Sequence, residues 1–180
     1  MARETLTEPQ ITIRLVHSPT NSKLNSNPLK SGAMSHLTAS HLEGMSLSAA
    51  RIGNEMKCMS DLAFRILGQT NSLLDDSTGS APNEMSDMAG LVESMARGAL
   101  GCVVEKDFTA AKSVLQSYSA VKTLREVIDR ELVASMIWDA EHVTRYANLT
   151  SIVCDLASLA DRAANIAQEV LLAESSLILD

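Results

Sequence analysis

From Leu37 onward, apolar side chains recur every three or four positions, the period of a helix with one buried face, and nothing alternates as a half-buried strand does. The first such face runs through Leu42, Met45, Ala49, Ile52, Met56, Met59, Leu62, Ala63 and Ile66. The stretch "DDSTGSAPNE" ends it, because Gly79 and Pro82 break the period while Ser, Asp and Asn supply turn and cap chemistry. A second helix is predicted over about 83–105, with Met85, Met88, Val92, Met95, Ala99 and Val103 inward. A third follows "KDFT" over about 109–138, carrying Ala111, Leu115, Tyr118, Val121, Leu124, Ile128, Leu132 and Met136 on its apolar face. The fourth spans about 141–174, through Val143, Tyr146, Leu149, Ile152, Leu156, Leu159, Ala163, Ile166 and Val170. Short connections between long helices make sequential neighbours antiparallel, so the pattern predicts an all-α antiparallel bundle of about four long helices.

Residues 1–35 stand apart. "SPTNSKLNSNPLKSG" is rich in residues that favour turns and cannot build a packed core, so this segment reads as a flexible arm ahead of a helical bundle over 36–180. "ITIRLVH" alternates like a short strand, but a single strand has no partner to pair with.

The chain also repeats itself. "SDLAFRI" (60–66) is echoed by "ADRAANI" (160–166), one hundred positions later, with Asp61 on Asp161, Ala63 on Ala163 and Ile66 on Ile166. The match extends upstream: Ile52 falls on Ile152, Glu55 on Asp155, Met56 on Leu156 and Met59 on Leu159.

Composition sharpens this picture. Aromatics are only 3% of the residues, while Ala, Leu, Met and Ser abound, a mixture that suits helices packed on helices. A net charge of −7 with no basic stripe argues against nucleic acid as a partner, since phosphate binding needs clustered Lys and Arg. Cys58, Cys102 and Cys154 each lie within a helical apolar pattern and read as buried small apolar residues in a reducing compartment, not as a disulfide framework or zinc site. No apolar run reaches the ~20 residues that cross a bilayer, and the N-terminus lacks the apolar core of a signal peptide, so a soluble cytoplasmic protein without direct membrane insertion is expected.

The fourth helix, "LTSIVCDLASLADRAANIAQEVL", resembles the last helix of the PhoU domain, whose usual ending is close to "YLERIADHATNIAEEV". Asp161, Ala163, Asn165, Ile166, Ala167, Glu169 and Val170 match in register, and upstream Met95, Asp107 and Ala110 align with the family's Met- and Ala-lined helix, acidic turn and following helix. PhoU proteins carry two similar three-helix units in tandem, each ending in this phrase. The resemblance therefore implies one complete three-helix unit preceded by the last helix of another, over roughly 37–172. Either the chain is a shortened or divergent member, or the arm stands in for the two helices missing from the first unit.

The resemblance also implies a metal cluster held by carboxylates four residues apart, a spacing that sets two oxygens one turn apart on a helix. Asp61 and Asp161 keep the second carboxylate of each pair and are the candidate metal ligands; Lys57 and Ala157 replace the first. Glu55 and Asp155 lie six residues before the retained Asp, on another side of the helix, and cannot simply substitute. Tyr118 and Lys122 stand where the third helix of the family usually offers Asp, so no resident cofactor is expected; a divalent or iron cluster is the alternative. Asp139 and His142 make one Asp-x-x-His pair at a helix start, where a cap is the ordinary role, and His17, His36 and His41 form no ligand pattern. There is no Gly-rich phosphate loop, no Gly-x-Ser-x-Gly and no Cys–His arrangement at a catalytic spacing.

What the resemblance implies is a non-enzymatic regulator of phosphate uptake and phosphate signalling, in contact with a phosphate ABC transporter or a sensor kinase. The alternatives are a metal-binding helical protein and a detached PhoU-like domain associated with a sodium/phosphate cotransporter. Loss of two helices leaves part of the first apolar face without cover, which predicts a homo-oligomer, most simply a dimer.

Overall fold

The computed structural model describes the backbone of residues 28–74 and 81–178. Four helices follow in order: α1 (Pro28–Leu74), α2 (Asn83–Glu105), α3 (Phe108–Trp138) and α4 (Val143–Ile178). Pro28 opens α1, where its missing N–H is no loss and its fixed φ suits a first turn. That start falls inside the segment assigned by composition to the arm; residues 1–27 and the "ITIRLVH" stretch lie outside the described residues.

Local chemistry sets the other ends. Lys106 closes α2 in the left-handed conformation (φ 53°), and the next residue, Asp107, caps α3 by accepting hydrogen bonds from the backbone N–H of Thr109 (2.8 Å) and Ala110 (3.0 Å). Asp139 ends α3, and a short 3-10 turn, Ala140–His142, leads directly into α4.

Helices α2, α3 and α4 each pack against the other two. Met88, Val92, Met95, Val121, Ile128, Leu132 and Ile166 are almost wholly enclosed among them. At one point α2 and α3 come so close that a Cβ on Gly98 would lie 2.9 Å from Val114 Cγ2.

Side chains of α1 join this core from one side only. Met59 is buried, and Ile52, Leu62 and Ile66 are half-buried against it. Ala49, Met56 and Ala63, which the period places inward, are exposed instead, because the matching side of α1 has no helix on it among the described residues. Leu42 and Met45 lie outside the described side chains. Val143 is exposed as well, and Cys58 and Cys154 are half-buried where burial was expected; Cys102 is buried.

Candidate functional site

The seam between α1 and α4 is laced by polar pairs. Arg51 donates to Glu169 (3.0 Å), Asn165 to Glu55 (3.1 Å), Arg65 Nε to Asp155 (3.0 Å) and Gln69 to Ser151 (2.9 Å). Steps of four, ten and four residues up α1 are matched by the same steps down α4, so the two helices run antiparallel in strict register. Adding one hundred to each α1 number, and removing it from each α4 number, maps the set onto itself: Glu55–Asn165 becomes Asp155–Arg65, and Arg51–Glu169 becomes Ser151–Gln69. The repeat is thus a pseudo-two-fold relation between two helices that face each other.

Within it, Glu55 and Asp155 are the working positions. Asp155 is 3% exposed and takes a two-pronged hold from Arg65, whose guanidinium is pushed above its ordinary range by that hydrogen bond and by the carboxylate's charge. Glu55 accepts from Arg162 Nη1 (3.1 Å) as well as from Asn165, and Arg162 is raised in the same way by its bond to Glu55. A shallow cleft of about 410 Å³ opens beside this pair, lined by Arg51, Asn54, Glu55, Asn165, Gln168 and Glu169 among others.

The sequence-predicted metal ligands are far less enclosed. Asp61 and Asp161 are both exposed, and Asp161 accepts a hydrogen bond from the Tyr118 hydroxyl. That bond, with burial, raises the phenol's pKa, and the Lys122 ammonium sits 4.4 Å from the ring centroid. Ala157 is buried, whereas Lys57 is exposed, so the two positions that the family fills with a first carboxylate lie in different surroundings here. Among the described residues no three His, Cys, Asp or Glu side chains converge. Each retained Asp supplies one carboxylate, fewer oxygens than a hard cation takes.

Asp139 and His142 do meet, with His142 Nδ1 at 2.8 Å from Asp139 Oδ1, and Tyr146 donates to the same carboxylate (2.9 Å). The hydrogen bond with His142, then that from Tyr146, hold Asp139 below the usual carboxylate pKa, while the Tyr146 phenol is raised. This cluster ties the end of α3 to the start of α4. Near the cluster in sequence, Ile137 (71% exposed), Trp138 (88%), Val133 and Val143 are exposed apolar side chains.

Residues 85–170, which span α2, α3 and most of α4, match the family model described as the PhoU domain. This region belongs to the PhoU domain family. The fold matches the crystal structure of PhoU from Pseudomonas aeruginosa with a TM-score of 0.70 at 23% identity, over 77% of this chain and 66% of that one. No curated protein matches the chain. The PhoU domain accounts for the three mutually packed helices; α1 lies outside residues 85–170, and the internal repeat relates it to the family phrase.

Reasoning from sequence set Glu55 and Asp155 aside as misplaced metal ligands. The signal that could have found them is present: an acid at the same place in both copies, with a hydrogen-bonding residue ten positions on in the other copy, Asn165 and Arg65.

Proposed function

We propose that this chain is a cytoplasmic, non-enzymatic regulator of phosphate uptake and phosphate signalling, acting by contacts with a phosphate ABC transporter or its sensor kinase. The observation that carries the reading is the PhoU domain over residues 85–170 within a bundle that matches PhoU. The chemistry of the polar groups supports it. Asp107, Asp139, Glu55 and Asp155 are engaged in capping or joining helices. Among the described residues no helix is long and apolar enough to cross a membrane. The exposed side chains of Ile137 and Trp138 give such a regulator an anchor, since aromatic side chains buried at an interface dominate many protein contacts.

The test is phosphate uptake, measured with labelled phosphate in cells lacking the gene and in cells restored with it. Deregulated uptake in the deletion, restored by wild type and only weakly by Trp138→Ala, is the expected result. Capture of a transporter component or sensor kinase by the wild type in phosphate-fed cells should accompany it. Unchanged uptake and capture of neither partner would overturn the reading.

A further inference from the structure

Tyr118 and Lys122 on α3, with Ala157 and Asp161 on α4, stand where the PhoU resemblance sets carboxylates, and of these Asp161 alone keeps one. The structure brings three of the four together across the seam between α3 and α4. The Tyr118 hydroxyl donates to Asp161 Oδ1, and the Lys122 ammonium, from one turn further along α3, lies 4.4 Å from the centroid of the same ring. Ala157 is buried one turn before Asp161, where a carboxylate would lose its hydration.

A cation bridging two helices gives a carboxylate a positive charge and a fixed partner on the neighbouring helix. Here the chain supplies both from its own residues: the phenol is the fixed partner, and the ammonium is the charge. A cation over the ring face draws electron density from the phenol and makes its O–H the better donor, so the three groups act together. We infer that Tyr118, Lys122 and Asp161 form a metal-free clasp that ties α3 to α4 where the resemblance implies a metal cluster, and that this chain takes no cation at Asp161.

The donor set argues the same way. Zinc takes four ligands and a hard cation takes six or more oxygens, whereas Asp161 offers two oxygens, one of them already bonded to the phenol. Among the described residues no three acidic, His or Cys side chains converge to supply the rest. An incoming ion would also have to displace the Tyr118 hydroxyl and approach the Lys122 charge. The inference concerns α3 and α4 alone and does not depend on the phosphate role.

The test uses the full chain, stripped with a chelator and dialysed against zinc(II) or iron(III) citrate. By elemental analysis the wild type should hold no more of either metal than Asp161→Asn does, and neither metal nor chelator should move its melting temperature. Tyr118→Asp combined with Lys122→Asp returns two carboxylates to α3 beside Asp161, enough with water for a zinc site. This double variant should bind zinc and melt higher with it, and adding Asp161→Asn should abolish both gains. Tyr118→Phe keeps the ring under Lys122 and removes the hydroxyl, so its melting temperature should fall by roughly 2–5 °C with helicity unchanged. Metal on the wild type that Asp161→Asn removes, or a visible iron–tyrosinate band that Tyr118→Phe removes, would overturn the proposal. So would a folded double variant that gains no metal, or a Tyr118→Phe protein as stable as the wild type.

Discussion

At the scale of single residues, environment decides what a carboxylate does. Asp139 is held below its ordinary pKa by His142 and Tyr146, so folding favours its ionised form. The stability this gives is complete above the unfolded value of about 3.9 and is lost as pH falls through the lower folded value. Asp139→Asn should therefore be less stable than wild type at pH 6, and chemical denaturation should show the gap closing as pH drops below 4. The retained Asp61 and Asp161 differ in another respect. Ala157, one turn before Asp161, is buried, so Ala157→Glu should lower stability by about 2 kcal/mol or more, whereas Lys57→Glu at an exposed site should stay within about 0.5 kcal/mol. Equal effects in urea denaturation would show that the two repeat copies have the same surroundings after all. The positions of both Asp were legible in the sequence; what surrounds them was not, because a helical period does not say which neighbours are present.

At the scale of elements, punctuation carried most of the information. Asn83, Glu105 and Trp138 were legible as helix ends because "APN", "EKD" and "WDA" bring Pro, acidic caps or a break in the apolar period together. The start of α1 was not, since Ser, Asn and Pro favour turns when read locally yet Pro also suits a first helical turn. Apart from the exposed Val143, the inward positions of α2, α3 and α4 followed the period, while Ala49, Met56 and Ala63 of α1 did not. That contrast is measurable. Leu156→Ala in the covered helix should cost about 2–4 kcal/mol, and its counterpart Met56→Ala should change the unfolding energy of the dilute protein by less than about 0.5 kcal/mol. Glycines make a second pair. Gly90 has open space around it, so Gly90→Ala should stabilise α2 by about 0.5–1 kcal/mol. Gly98 faces Val114 at contact distance, and overpacking of about 1–3 kcal/mol should outweigh the same propensity gain. Thermal melts of both variants, moving in opposite directions, check the α2–α3 approach.

For the whole molecule, the account comes to a PhoU-type three-helix unit plus one further helix that shares its phrase, pairs with α4 through symmetric polar bonds, and leaves its apolar face open. The repeat made the kinship of α1 and α4 legible in sequence. Their direct pairing was not, because Glu55, Arg65, Asp155 and Asn165 read singly as surface polar residues. Hydrogen exchange of the full chain, followed by peptide, tests the central claim most directly. The account predicts that peptides within 47–71 exchange faster than their counterparts within 147–171, which α2 and α3 cover. Equal protection of the two helices would contradict it.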